Sequence, residues 1–426
     1  MAHRMSLLEL FPDSSAVERG ELVVGGLSAS ELADEFGTPL VVYCEQTLRA
    51  RAQAYRQAAA AALVLYSVKA FPNVALLRLF AAEGLGAEVS TLGELAFALE
   101  AGIEGARIAV DGNNKSDEEL RKAAEADVAF VAVDALDDVA RAAEAGIERV
   151  LVRVTPGIDA DTHAAIRTAH HGSKFGLDSE QALEALRQAQ AAGLDVVGLH
   201  VHIGSQLLDL GAERTTVDWL AAFAAECRAE LEWTPSVVDL GGGLGIRYAA
   251  DDPQLSVQSF VSSLVERFEH AWRLHELPPA QLALEPGRSL VGEAGVTLYR
   301  VGVVKRAGET TTYVAIDGGM SDNPRPQLYG ARLSALLANR VDEEPVGSYS
   351  VCGKHCESGD VMIERVALPQ PRRGDLLAVP ATGAYTLAMS SNYNGVPRPA
   401  AVLVVDGEAR LLRRRETIDD LLRLEA

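Results

Sequence analysis

The run Tyr66-Ser67-Val68-Lys69-Ala70-Phe71-Pro72-Asn73 delivers one lysine from the end of an apolar stretch into a proline-marked turn. Two fates are open to such an amine. It is a strand-end charge in solvent, the reading that local sequence favours because lysines are mostly exposed, or it is held in a pocket. Desolvation lowers an amine's pKa and makes it nucleophilic, as Schiff-base chemistry with a carbonyl requires. His200-Val201-His202-Ile203-Gly204-Ser205-Gln206 is a second candidate. Residues two apart on a strand share a face, so His200 and His202 form a possible pair of metal ligands, while the following Gly-Ser suits a turn facing phosphate or carboxylate. Asp239-Leu240-Gly241-Gly242-Gly243-Leu244-Gly245 offers bare N–H groups that can cradle a phosphate, although a glycine run is often only a tight turn. Its spacing matches neither the P-loop nor the dinucleotide fingerprint.

Glu285-Pro286-Gly287-Arg288 pairs a carboxylate with an arginine three residues on. It reads either as an ion pair between domains or as an anion-binding Arg288 beside a Glu285 that faces a cationic ring nitrogen. Further on, the polar loop Asp317–Tyr329 carries Arg325, well suited to bidentate carboxylate binding, and Tyr329. Cys352-Gly353-Lys354-His355-Cys356-Glu357 invites a zinc reading, but it lacks a second ligand pair. A cysteine among acidic and histidine neighbours also suits proton donation.

The elements that must position these groups follow from hydrophobic pattern. Between about residues 38 and 290 the chain alternates apolar runs with alanine-rich amphipathic stretches. The runs are Ala61–Lys69, Gly86–Ser90, Arg107–Asp111, Val128–Asp134, Val150–Thr155, Val196–Gly204, Val237–Gly242 and Leu282–Pro286. Near-continuous Val/Ile/Leu runs separated by helices indicate parallel strands buried on both faces. An open doubly wound sheet is possible, but eight successive units fit a closed (β/α)8 TIM-like barrel better, with its active site at the C-terminal ends of the strands. Lys69, the histidine run, the glycine run and Glu285 all lie at such ends. After Arg288 the texture changes to strands with few helical patterns between them: 296–305, 311–316, 348–351, 360–366, 375–379 and 400–406. These predict a mostly antiparallel β-domain of sandwich or barrel type, built from residues 1–37 and 291–426, to which Leu22–Val24 could add a strand.

Composition narrows the function classes. A formal charge of -21 argues against nucleic acid or anionic membrane as a partner, though not against a small anionic substrate met by local arginines. Four cysteines in 426 residues make no disulfide framework. The stretch from Met1 to Asp13 has too short an apolar core for a signal peptide, and no segment approaches the roughly 18 apolar residues of a span. The expectation is a soluble, cytoplasmic protein.

In series, these motifs resemble the fold type III pyridoxal-phosphate decarboxylases. The resemblance runs in order through Tyr-Ser-Val-Lys-Ala, Ser-Lys-Phe-Gly at 173–176, His-Ile-Gly-Ser-Gln, Gly-Gly-Gly-Leu-Gly, Glu-Pro-Gly-Arg, Asp-Gly-Gly-Met-Ser-Asp-Asn-Pro-Arg-Pro, Cys-Glu-Ser-Gly-Asp and Gly-Ala-Tyr at 383–385. Its last four motifs favour the branch that converts meso-2,6-diaminopimelate to L-lysine and CO2, the last step of lysine biosynthesis, over branches acting on ornithine or arginine. The family fold is a barrel plus a C-terminal β-domain. The resemblance implies pyridoxal 5'-phosphate as cofactor, carried by Lys69, with His202 stacked on its ring and Ser205, Gly243 and the backbone of Glu285, Pro286, Gly287 and Arg288 on its phosphate side. Glu285 would pair with the pyridine nitrogen, and Tyr385 would touch cofactor and substrate. Arg288, Arg325, Tyr329 and Glu357 would bind the amino-acid substrate, with Cys356 as proton donor. It further implies a homodimer with shared active sites, since family members place the cysteine loop in the partner subunit's site. Two departures stand out: Glu88, where the family usually has Asp, and the alanines after His163 in the segment Thr162–Thr168. The rivals are a pyridoxal-phosphate decarboxylase of another basic amino acid (ornithine, arginine or lysine) and a metal-dependent barrel hydrolase built on His200 and His202.

Overall fold

Eight short strands buried on both faces leave no room for a polar alternation, and the chain accordingly forms them from unbroken Val/Leu/Ile/Ala runs. The computed structural model describes residues 7–157 and 173–426. The start of the Met1–Asp13 stretch and the segment Thr162–Thr168 therefore lie outside the described residues. By packing, the chain divides into two units: Arg51–Gly245 with Leu255–Ser289, and Met1–Ala50 with Ile246–Gln254 and Leu290–Ala426.

The first unit is the expected barrel. Its strands are β1 (Leu63–Ser67), β2 (Gly86–Val89), β3 (Ile108–Val110), β4 (Phe130–Val133), β5 (Arg149–Arg153), β6 (Asp195–His200), β7 (Val237–Asp239) and β8 (Gln281–Leu284). Each pairs in parallel with the next, and β8 pairs with β1 through Ala283 opposite Leu63, which closes the ring. Leu65, Ala109, Phe130 and Leu151 fill part of its interior. All eight apolar runs singled out in the sequence are barrel strands.

Local sequence explains how strand is converted into site. After β1 the chain makes a single 3-10 turn, Val68–Ala70, and then starts the helix Val74–Ala82. Asn73 caps that helix, its Oδ1 accepting the N–H groups of Ala75 and Leu76. The cap fixes where the helix begins, so Lys69 is confined to the three-residue turn between strand and cap. Further round the barrel, Ser116 and Glu119 form a capping box at the head of Asp117–Glu125.

The second unit is a mixed, mostly antiparallel sheet system. Its spine is the thirteen-residue strand Gly295–Ala307. The first half of this strand pairs antiparallel with Leu40–Cys44 and with Leu376–Val379; after a register shift between Val301 and Val304 the second half pairs with Thr311–Ile316. Gly347–Cys352, Val361–Leu368, Ala400–Val405 and Glu408–Arg413 extend it. Two findings go beyond the sequence reading. Leu40–Cys44, which lies past residue 38, is a strand of this sheet, buried along its whole length between Gly295–Ala307 and Ala400–Val405. Leu22–Val24 forms part of its own three-stranded sheet with Ala16–Glu18 and Leu27–Ser28, because its edge is taken by these near neighbours in sequence. No helix among the described residues is long and apolar enough to cross a membrane.

Candidate active site

The C-terminal ends of the barrel strands gather a dense set of ionisable side chains. Lys69 lies between the two fates considered for it, its side chain 40% exposed and its Nζ donating to Glu88 Oε2 at 3.1 Å. Glu88, on β2, is itself buried and is locked from two further sides: Ser67 Oγ donates to Oε2 at 2.5 Å and Ser90 Oγ to Oε1 at 3.0 Å. The residue that departs from the family's usual aspartate thus reaches the lysine amine directly.

Across the mouth, the turn after β7 packs on the histidine run. The N–H of Gly242 donates to His202 Nδ1 at 3.2 Å, and that of Gly241 to Asp239 Oδ1 at 2.8 Å. This turn cannot carry side chains. A Cβ on Gly242 would stand 2.3 Å from the Glu285 carbonyl oxygen, and one on Gly243, whose φ is 127°, would stand 2.9 Å from that of Gly204. Burial, then the Lys69 and Arg153 cations, push the His202 pKa down to about 3, so its ring is neutral. Arg288 donates to Ser205 Oγ at 3.1 Å, joining the last strand's exit loop to the histidine run.

Beneath the mouth lies a network that sequence reasoning did not name. Arg153, 4% exposed at the end of β5, contacts Asp111 at 2.6 Å and Asp134 at 3.5 Å. His200, 1% exposed, has Nδ1 3.8 Å from Asp111 and Nε2 3.6 Å from Glu285. Burial opposes charge on the His200 ring, but Glu285 and Asp111 outweigh it and raise the pKa to about 9. Burial is likewise outweighed at Glu285, which His200 holds below the ordinary carboxylate range. Asp239 goes the other way: burial, reinforced by Glu285, pushes it well above that range. Among the described residues, His200, Asp239 and Glu285 are the group that could surround a metal ion, with candidate ligand atoms within 4.8 Å of one another. The ligand pair considered in the sequence divides, His200 turning to the carboxylates and His202 to the glycine turn.

The second unit carries the other candidates. Arg325, buried, heads the short helix Arg325–Tyr329 and stacks its guanidinium 4.0 Å from the centre of the Tyr248 ring. Tyr329 points its hydroxyl at Met389 Sδ, 3.9 Å away, and Tyr385 adopts a left-handed φ of 55°. Cys356 and Glu357 are exposed on a loop held from both sides. Asp360 accepts from His355 Nδ1 at 2.6 Å and from the N–H groups of Met320 and His355, while Asn394 Oδ1 accepts the Cys356 N–H at 3.0 Å. Tyr393 stacks on His355 and donates to Glu357 at 3.4 Å. With its Nδ1 on Asp360, His355 forms no ligand cluster with Cys352 and Cys356 among the described residues.

Comparison with known proteins agrees with this geometry. The family model described as pyridoxal-dependent decarboxylase, pyridoxal binding domain, matches residues 45–292. Over 423 residues, 98% of this chain and 95% of the relative, the sequence is 45% identical to the diaminopimelate decarboxylase of Actinosynnema pretiosum subsp. auranticum. The chain belongs to the diaminopimelate decarboxylase family. The Bacillus subtilis (strain 168) member is 41% identical over 96% of each chain. The crystal structure of the M. jannaschii member in complex with L-lysine superposes with a TM-score of 0.90 at 32% identity, covering 97% of this chain and 98% of that one. The barrel mouth sets an amine beside a carboxylate and holds a serine–arginine pair and an ionised buried glutamate, a set of groups that fits a pyridoxal phosphate.

Proposed function

We propose that this protein decarboxylates meso-2,6-diaminopimelate to L-lysine and CO2 with pyridoxal 5'-phosphate as cofactor, in the cytoplasm, as a homodimer whose subunits share active sites. The observation that carries the reading is Lys69, presented from a capped turn at the barrel mouth with its amine on Glu88. Lys69 is the residue that would hold the cofactor covalently. Ser205, Gly243 and the Pro286–Arg288 backbone would hold its phosphate, the neutral His202 ring would lie on its face, and Glu285 would meet its ring nitrogen. When bound, pyridoxal phosphate supplies an electron sink for the pair left behind by departing CO2.

The chain's own residues do the rest. Glu285, held ionised, favours a protonated ring nitrogen. Arg288, Arg325, Tyr329 and Glu357, with Tyr385, bind the substrate, and the pairing of an arginine with a glutamate suits a distal group bearing both carboxylate and amine. That pairing favours diaminopimelate over ornithine, arginine or lysine. Cys356 donates its thiol proton to the α-carbon in place of the lost carboxyl group. The Asp360 and Asn394 contacts fix its loop from behind.

The test is incubation of the purified protein and pyridoxal phosphate with meso-diaminopimelate, measuring CO2 and L-lysine, beside parallel reactions with lysine, ornithine and arginine. Release of both products from diaminopimelate alone is expected. Turnover of another substrate in its place would reassign the specificity. Stoichiometric zinc with no visible cofactor band would replace the decarboxylase with a hydrolase.

A further inference from the structure

Five charged side chains of alternating sign run through the base of the barrel mouth. Asp134 follows β4, Arg153 ends β5, Asp111 follows β3, His200 ends β6 and Glu285 follows β8. The successive separations are 3.5, 2.6, 3.8 and 3.6 Å. All five are buried. Charges this deep persist only when each is compensated by a neighbour, and the compensation here is sequential. Arg153 answers Asp134 and Asp111, and His200 answers Asp111 and Glu285. The groups that face His200 are Glu285, Asp111 and Asp239, the last with an Oδ2 that has no hydrogen-bond partner. Without His200, Glu285 would stand beside Asp239 and Asp111 with only the fields of Lys69 and Arg153 to offset them.

We infer that His200 is a positioning residue for Glu285, the buried cation by which the row of charges ending at Asp134 keeps Glu285 anionic toward the cofactor ring. The inference rests on the reading that Glu285 meets the ring nitrogen. His200 is sequestered behind that glutamate, at 1% exposure, so its effect passes through a carboxylate rather than through the substrate. Burial resists a charge on this ring, yet the two flanking carboxylates win and carry its pKa to about 9. The imidazolium is therefore present throughout the neutral range.

The experiment is a pH titration of the bound cofactor's visible absorption in wild type, His200→Gln, His200→Lys and Glu285→Gln, with cofactor affinity and steady-state kinetics measured on each. An opposite charge within about 4–6 Å moves a carboxylate pKa by about 1–3 units. Removing it from Glu285 should lower the ring-nitrogen midpoint of His200→Gln by at least about one unit. kcat should fall about tenfold or more with KM little changed, because the charge acts on the electron sink and not on substrate binding. His200→Lys, which restores a cation, should recover the midpoint. A cofactor-loaded His200→Gln with the wild-type midpoint, alongside a shifted Glu285→Gln, overturns the role of His200. Unshifted midpoints in both variants overturn the assignment of Glu285 instead. Should His200→Gln fail to fold, the neutral His200→Asn takes its place: a midpoint lowered by at least about one unit supports the buried cation, and a wild-type midpoint in the cofactor-loaded variant refutes it.

Discussion

Replacing Arg153 by methionine removes the cation at the centre of the barrel's buried charges while keeping most of the side chain's volume. Arg153 is 4% exposed and lies 2.6 Å from Asp111 and 3.5 Å from Asp134, both buried. Breaking a buried pair by deleting one partner costs about 3–5 kcal/mol, because an uncompensated charge stays behind. Asp111 retains His200 at 3.8 Å, whereas burial already pushes the Asp134 pKa up against the pull of Arg153. Most of the penalty should therefore fall on Asp134. For a unit of this size, 3–5 kcal/mol corresponds to a fall in Tm on the order of 10 °C.

The pH dependence has a definite sign. In the wild type, burial is outweighed by Arg153 and then His200, and Asp111 is held below the ordinary carboxylate range. Its contribution to stability is present above the unfolded-state pKa and is lost as pH falls. In Arg153→Met both carboxyl groups lose that cation and their folded-state pKa values rise, that of Asp134 further above its unfolded value because burial already raises it. The variant's deficit should grow as pH rises through the unfolded carboxyl pKa, to its full value near pH 8, and shrink toward pH 5. Urea unfolding at both pH values measures it. An Arg153→Met protein within about 1 kcal/mol of wild type at pH 8, or one whose deficit is the same at pH 5, refutes the reasoning.

Three other perturbations have expected outcomes. Gly242→Ala places a Cβ 2.3 Å from the Glu285 carbonyl oxygen; an overpacking cost of about 1–3 kcal/mol is expected together with weakened pyridoxal phosphate binding, read by equilibrium dialysis. Lys69→Ala should leave no cofactor covalently attached after borohydride reduction, as seen by intact mass; a reduced adduct in the variant would assign the covalent link elsewhere. Cys356→Ala should bind the cofactor with its ordinary spectrum and lose about 100-fold or more in kcat, the scale of a positioned proton donor; unchanged turnover would remove the thiol from the reaction.

The barrel was legible because strands buried on both faces must be written as unbroken apolar runs, and each of the eight such runs became a barrel strand. The same rule explains what was not read. Leu-Val-Val-Tyr-Cys at 40–44 is as apolar as any barrel strand, and nothing local says that its partners lie at 295–298 and 400–404. In the site, Lys69, His202 and Glu285 were visible as unusual residues ending apolar runs. Asp111 and Asp134 close such runs in the same way and Arg153 lies within one, so the signal for the buried network was present. It was missed because a charge at a strand end looks like solvation until its partner, 42 residues away, is brought to 2.6 Å. Asn394 beneath the Cys356 N–H had no comparable signal, since that contact is made only when two loops fold together.

The pairing of Leu40–Cys44 with both Gly295–Ala307 and Ala400–Val405 also dictates an order of events during synthesis. The barrel's sequence is spliced into the middle of the other unit, so all eight of its strands leave the ribosome before the partners of Leu40–Cys44 exist. At about 5–20 residues per second, that strand waits on the order of 20–70 s for Ala400–Val405. Both edges of this wholly apolar strand are open until Gly295–Ala307 emerges, and the edge that takes Ala400–Val405 stays open after all eight barrel strands have been made. The nascent chain is most vulnerable to wrong pairing there, and a chaperone would have most to do near residue 40, far along the sequence from the cysteine loop.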